Sequence, residues 1–442
     1  MVASTIEYAL MAGAAYYSTR DDINRIPRPD GWEQLPPGLD HRQDDSCGFE
    51  AAAFINASGE IVIAFAGTYP EDISGDWLQA NVPLASGGMS PQLFDAAKYY
   101  QDIKRAYPDA AISFTGHSLG GGLAALMGVF FDKTAVTFDP APFRSAANMI
   151  NQALLLASLP ADGAGVDRDL LSFYSTQLPV LSGSPVSLLP SLIRGEGKVS
   201  SYSVQGEALS LSPALNMLRI GAAPEIIGHG SNDAGAVNLH MQELLIALRH
   251  SSAFRTATYQ LPFLLKEIFD PNLFAKPTNR DVPHLLTHLI RREFGVPGSA
   301  GSDVDLLTKF AADMIRLGVF GAADDALRRP LERMAFTHYY NTVTGAGREF
   351  FQFVAGGLRL DLTQPIGDGV IAGGDLAALV TGYGELRSWI MDAVPAALRS
   401  EVGAFLADKR RLTLALDGKI DADAPEDATS DFMLSGIQGG RL

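Results

Sequence analysis

Apolar residues along the chain change spacing from one stretch to the next, and the spacing predicts the elements. Residues 4–17 place Tyr8, Leu10, Met11, Ala14 and Tyr17 at helical intervals. Residues 26–45 are rich in Pro, Asp and Gly and read as loop. Two short β-like runs follow, 49–56 and 61–66, separated by Asn56-Ala57-Ser58-Gly59, a hairpin signal. Residues 91–107 form an amphipathic helix pattern stopped by Pro108. A β-rich run at 112–115, a glycine turn, a small-residue helix at 121–131 and another β-run at 135–138 come next. A further strand is expected at 200–206, the last of the core, before a polar loop at 228–240 and a helix at 241–248. Strand, helix, strand at these lengths predicts an α/β fold with a mostly parallel sheet covered on both faces.

Two regions break the rhythm. Residues 143–198 are apolar and helix-prone but cut by Pro160, Gly163, Pro179, Gly183 and Pro190. An insertion of this kind, between core strands, is either a lid over a site or ordinary packing against the sheet. Residues 1–255 therefore read as one domain with that insertion. Residues 256–442 read as a mainly helical region, with helix patterns at 264–269, 282–294, 304–319 and 325–340, a β segment at 350–362 and a mobile tail at 417–442.

Composition narrows the function classes. The 442 residues are 47% hydrophobic and 19% charged, which is a globular balance. A net charge of −16 disfavours nucleic acid or a bare anionic membrane as the main partner. No apolar run is long enough to span a membrane, and the start of the sequence shows no basic n-region or signal-type apolar core. The single cysteine, Cys47, excludes an intrachain disulfide and reads as a small, partly buried residue.

The candidate chemistry centres on Gly116-His117-Ser118-Leu119-Gly120, a G-x-S-x-G turn between a strand and a helix. Such a turn forces the serine into a strained conformation with its hydroxyl projecting. It also points the free N–H groups of the following helix at the same spot. Ser118 is thus the candidate nucleophile, and it needs a base. Of eight histidines, His240 stands in a loop before a helix, after the strands, where the order nucleophile, acid, histidine puts the base. His229 is the alternative. His284 and His288 have the i, i+4 spacing of a metal pair but lack the glutamate of a zinc-protease motif. The expected acid is Glu207, beyond the 200–206 strand directly before the His240 segment, with Asp139, beyond the 135–138 strand, as the alternative; Asp233 is closer to His240 in sequence but lies in a loop. Leu119 follows the nucleophile and would supply one oxyanion N–H.

These residues carry a resemblance. Ala66-Gly67-Thr68 with Asp76-Trp77, and Thr115-Gly-His-Ser-Leu-Gly-Gly-Gly-Leu-Ala, resemble the class 3 lipase family of α/β-hydrolases. Gly48-Phe49-Glu50, Val136-Thr-Phe-Asp-Pro-Ala-Pro-Phe143 and Leu239-His240 resemble, more narrowly, the lipase-like domain of bacterial RTX-type calcium-binding proteins. The likeness covers about residues 1–255. One departure is Phe138-Asp139-Pro140, where the class 3 pattern has Phe-Gly-x-Pro. The resemblance implies a serine carboxylic-ester hydrolase acting on ester or lipid substrates with transient contact at a lipid interface. It implies Thr68 as the second oxyanion donor, no required cofactor, and secretion without a Sec signal. Residues 366–375 faintly resemble one calcium repeat, but a calcium-binding β-roll needs several in register, so a surface turn is favoured.

Overall fold

The computed structural model describes residues 3–67, 82–159, 195–211, 213–231, 234–269, 284–295, 306–321, 351–354 and 357–360. Thr68, Asp76-Trp77, Asp233, residues 160–194 of the insertion, the helix pattern at 325–340, residues 366–375 and the tail at 417–442 lie outside them.

Helix α1 spans Thr5–Ala14, and Ser4 caps it: the Ser4 hydroxyl accepts from the Glu7 N–H while the Glu7 carboxylate accepts from the Ser4 N–H, a reciprocal capping box. Strands β1 (Trp32–Gln34), β2 (His41–Asp44), β3 (Phe49–Asn56) and β4 (Ile61–Phe65) follow. Then come α2 (Pro91–Ala106), β5 (Ile112–His117), α3 (Leu119–Phe130), β6 (Ala135–Phe138), α4 (Met149–Ser158), β7 (Val199–Val204) and β8 (Glu225–Ile227). After the sheet come α5 (Gln242–His250), α6 (Ser252–Gln260), α7 (Leu285–Glu293), α8 (Leu306–Gly321), and a hairpin of β9 (Phe351–Val354) and β10 (Gly357–Leu360).

The main sheet runs β1-β3-β4-β5-β6-β7-β8, with β2 also on β3. Strands β4 to β8 are parallel; β1, β2 and β4 pair antiparallel with β3. This is the mostly parallel α/β sheet that the alternating pattern predicts. Three strands were not visible in the pattern. The first two, β1 and β2, fall in the Pro/Asp/Gly-rich stretch read as loop, and β8 falls between the 200–206 strand and His240. So β7 is not the last strand of the core. All three are only three or four residues long, and none has a run of apolar positions long enough to show a period.

Both faces of the sheet are covered, so the central strands are apolar on both sides; every residue of β4 is buried. Phe54, Val62, Ala64, Val136, Phe138 and Val204 face one core, with α1, α5, α6, α7 and the first part of α8. Ala53, Ile61, Ile63, Phe65, Phe114 and Ala135 face the other, with α2 and α3. The helices beyond residue 255 thus share the first core with α1; Phe254 of α6 stacks on Phe310 of α8, with ring centroids 6.2 Å apart. Among the described residues no helix is long and apolar enough to cross a membrane.

Helix α1 is fixed to the strand that leads into the turn. The Tyr8 hydroxyl donates to Ser113 Oγ at 2.8 Å, and Gln242 Nε2, on α5, donates to the Ala9 carbonyl at 2.7 Å. The β5–α3 turn is tight enough to need glycine. A Cβ on Gly120 would sit 2.0 Å from the Phe65 carbonyl oxygen, and one on Gly116 would sit 2.3 Å from the Gly120 oxygen. Both obstacles are backbone, so neither can be relieved by turning a side chain.

Candidate active site

Ser118 caps the N-terminus of α3 with φ 58° and ψ −125°. A non-glycine residue held at positive φ costs on the order of 1–3 kcal/mol and persists only where its surroundings fix it. Here they do: the Ser118 N–H donates to the Phe138 carbonyl at 3.0 Å, and the Ser118 carbonyl accepts from the Ala141 N–H at 2.9 Å. The side chain is left projecting from the turn. Its Oγ lies 2.9 Å from His240 Nε2, and His240 Nδ1 lies 2.7 Å from Glu207 Oε2. All three residues are buried. An ionised carboxylate only accepts, so Nδ1 carries the proton and Nε2 is left as the acceptor for the serine hydroxyl.

The structure therefore brings together Ser118, His240 and Glu207, residues 118, 207 and 240 of the chain. Leu119 opens α3 directly beside Ser118, and an N–H in the first helical turn has no partner within its own helix. Gly67, at the end of β4, approaches Ser118 so closely that a Cβ on it would lie 3.0 Å from the Ser118 Cβ. Thr68 is the next residue but is outside the described part.

Other candidates are placed elsewhere. Both ring nitrogens of His229 are taken by backbone: Nε2 lies 2.7 Å from the Gln205 carbonyl and Nδ1 accepts from the Ser231 N–H. His284 is buried and stacks on Phe269; burial pushes it down to about 4, so it is neutral near pH 7. It joins no metal-ligating cluster among the described residues. Cys47 is half-buried, its thiol donates to Asp95 Oδ2 at 3.3 Å, and burial together with that carboxylate pushes it up to about 11. It stays a thiol near neutral pH, where a thiolate would be needed for attack.

Asp139 sits close to the triad without joining it. It is fully buried and held at φ 42°, its Oδ1 accepts from the Val204 N–H at 2.9 Å, and its Oδ2 lies 3.9 Å from His117 Nε2. His117 in turn meets the Tyr16 hydroxyl at 3.1 Å, and its ring centroid lies 4.8 Å from that of His240. Burial, reinforced by the charges of His240 and Arg20, holds His117 well below the usual histidine range, so its imidazole is neutral. The ligand atoms of His117, Asp139 and His240 lie within 4.8 Å of one another. A divalent cation there would occupy the same histidine that faces Ser118.

The two carboxyls are driven apart. Burial alone would raise Glu207, but its bonds to His240, the charge of Arg219 and the Leu209 N–H outweigh it and hold it below the usual range. Burial, and then the Glu207 charge, push Asp139 well above its ordinary 3.8. Between that ordinary value and the raised one, the unfolded chain has lost the Asp139 proton and the folded chain keeps it, so stability falls as pH rises through the window. Asp139→Asn keeps the shape and the acceptor but carries no titrating proton. Its melting temperature, relative to the parent, is therefore expected to rise as pH increases above the ordinary aspartate value of 3.8. A difference that stays flat across that window would mean Asp139 is ionised in the folded protein.

Arg219 had no place in the sequence reading. It is buried and donates from Nη2 to Glu207 Oε1 at 2.6 Å. A signal was present: it is the single Lys or Arg between residues 199 and 248, the stretch that holds Glu207 and His240.

Parts of the chain are similar to known proteins. Residues 7–226 match a phospholipase-like family model, described as a Tle-like phospholipase domain. That match stops short of His240. An extracellular phospholipase A1 of Serratia liquefaciens is 34% identical over 153 residues, 34% of this chain and 44% of that protein. A putative lipase ATG15 of Candida glabrata is 55% identical over 42 residues, 10% of this chain and 8% of that protein. One of Mycosarcoma maydis is 32% identical over 85 residues, 19% of this chain and 16% of that protein. The chain spans less than half the length of the curated relatives it matches. Over these stretches the chain is similar to lipases and phospholipases, and its α/β sheet is consistent with that likeness.

Proposed function

We propose that the chain is a serine carboxylic-ester hydrolase that cleaves the acyl esters of lipids, phospholipid foremost. The observation that carries this reading is the continuous hydrogen-bonded line from Ser118 Oγ through His240 to Glu207, at 2.9 and 2.7 Å. His240 Nε2 takes the hydroxyl proton as Ser118 Oγ bonds to the ester carbonyl carbon. The developing oxyanion is met by the Leu119 N–H and the Thr68 N–H. The tetrahedral adduct collapses, the C–O bond to the alcohol breaks, and His240 returns the proton to the departing alkoxide. Water then gives its proton to His240, attacks the acyl-serine, and releases the carboxylic acid and the free hydroxyl. Glu207 keeps the imidazole in one tautomer and balances its charge while it holds the proton. No step is assigned to calcium.

Preference for phospholipid rests on the matched family and on the phospholipase among the relatives. Leu211 and Met217, on the segment between Glu207 and Arg219, are 66% and 79% exposed and offer apolar side chains to a lipid surface. The described start of the 143–198 insertion packs against the sheet, with Phe143, Ala146 and Leu155 buried in the core shared with α2 and α3.

The test is a panel of phosphatidylcholine vesicles, emulsified triacylglycerol, a soluble nitrophenyl ester and its amide counterpart. Fatty-acid release from the phospholipid is expected to exceed that from triacylglycerol, with the amide left intact. Amide turnover equal to ester turnover would point to an amidase or peptidase. Triacylglycerol turnover above phospholipid would remove the head-group preference.

A further inference from the structure

The site contains two buried carboxylates and one buried guanidinium. Glu207 and Asp139 are both fully buried, and Arg219 is 3% exposed. Two like charges so close in a dry interior oppose each other's ionisation, so the placement of the single cation decides where the negative charge rests. We propose that Arg219 is a positioning residue: it fixes Glu207 as the charged, oriented carboxylate behind His240. This rests on the reading of Glu207 as the acid of the proposed hydrolase.

The geometry is asymmetric. Arg219 Nη2 donates to Glu207 Oε1 at 2.6 Å, and Nη1 donates to Ser203 Oγ at 2.8 Å. The other Glu207 oxygen, Oε2, faces His240 Nδ1 at 2.7 Å and accepts from the Leu209 N–H at 2.6 Å. Three donors therefore surround Glu207, two of them on the oxygen that meets the histidine. With both oxygens held, the carboxylate plane cannot turn about its last torsion, and Oε2 stays aimed at Nδ1. Asp139 is met by the Val204 N–H and the Ser203 hydroxyl, with no direct bond from Arg219, and its Oδ2 has no hydrogen-bond partner. The titratable and charged groups around Glu207 are thus Arg219, reaching in from the turn before β8, His240 from the segment before α5, and Asp139 from the end of β6, with the neutral His117 behind Asp139. Only Arg219 is a permanent cation, and it contacts one carboxylate.

Remove the guanidinium and Glu207 loses both an orienting bond and the charge that keeps it ionised; its proton affinity rises toward that of Asp139. On a soluble nitrophenyl ester, Arg219→Met is expected to lower kcat by about 10- to 100-fold, the loss that follows removal of an orienting partner at metal-bound histidines. KM should change little. The acid limb of the kcat/KM profile should move to higher pH, because Glu207 then protonates earlier as pH falls. Arg219→Lys, which keeps the charge without the fork, should recover part of kcat. A purely structural role would leave the acid limb in place.

The deciding measurement is a double-mutant cycle with Glu207→Gln. If Arg219 acts through Glu207, Arg219→Met costs less than about twofold more once Glu207 is already glutamine. An equal loss in both backgrounds overturns the proposal, as does a parent-like acid limb in Arg219→Met. Should Arg219→Met alone not fold, with a buried carboxylate left unpaired, the double variant buries a neutral pair instead. Its activity against that of Glu207→Gln then decides: equality supports the proposal, and a further tenfold fall overturns it. Failure of the Glu207 assignment would show separately, as parent-like activity in Glu207→Gln by itself.

Discussion

Ser118→Ala is expected to lower ester hydrolysis by about 10⁴-fold or more, the loss that follows deletion of a nucleophile in a serine hydrolase. The change removes one oxygen atom. Alanine keeps the Cβ, so the strain at φ 58° is the same before and after. The backbone bonds from the Ser118 N–H to Phe138 and from Ala141 to the Ser118 carbonyl do not involve the side chain. The melting temperature should therefore hold or rise slightly. A fluorophosphonate probe, which needs the activated oxygen, should label the parent and leave the variant unlabelled. Activity within about tenfold of the parent would take Ser118 out of the mechanism, because no other group can stand in for a lost nucleophile at that cost.

The second large effect belongs to the acid. Glu207→Gln is expected to cost about 10³–10⁴-fold in kcat, and Asp139→Asn little, on the same ester. Glutamine preserves volume but not charge. Its amide can face His240 Nδ1 with a donor and force the wrong tautomer, leaving a hydrogen on the nitrogen that should accept the serine proton. Asp139 is already neutral through burial and the nearby Glu207 charge, so an amide there replaces like with like. The reverse result, a crippled Asp139→Asn beside a healthy Glu207→Gln, would mean that the histidine turns to the earlier strand during turnover.

Residue pattern alone reached the central sheet and much of this constellation. Strands β3 and β6 were read with the ends they have, because a strand buried on both faces shows up as an uninterrupted apolar run. The glycines around Ser118 were legible for a related reason: backbone packed at 2.0 and 2.3 Å from a notional Cβ tolerates no other residue. The short edge strands were not legible, since Trp32-Glu-Gln and His41-Arg-Gln-Asp hold too few apolar positions. Between the two carboxylates the pattern favours Glu207 on strand order alone. Each follows a core strand and precedes His240, and what separates them in the structure is Arg219, about a dozen residues past Glu207 and on no recognisable motif. Local rhythm describes what a residue does for its own element. It is silent on which distant charge will arrive next to it.

Helix α1 has a consequence for the order in which the protein can assemble. It touches β5 through Tyr8 and Ser113, 105 positions apart, and α5 through Ala9 and Gln242, 233 positions apart. Beyond those, the Asn24 side chain accepts from the His284 N–H, 260 positions on. A ribosome adding roughly 5–20 residues per second emits α1 about 10–50 s before its partner on α5. During that interval Leu10, Met11 and Tyr16, all buried in the finished molecule, have no completed core to enter. The nascent chain must therefore carry an apolar helix unsheltered, or keep it in the care of a chaperone, until α5 emerges. Tyr16 meets His117, whose ring centroid lies 4.8 Å from that of His240, so this side of the site is completed only after residue 240 has emerged.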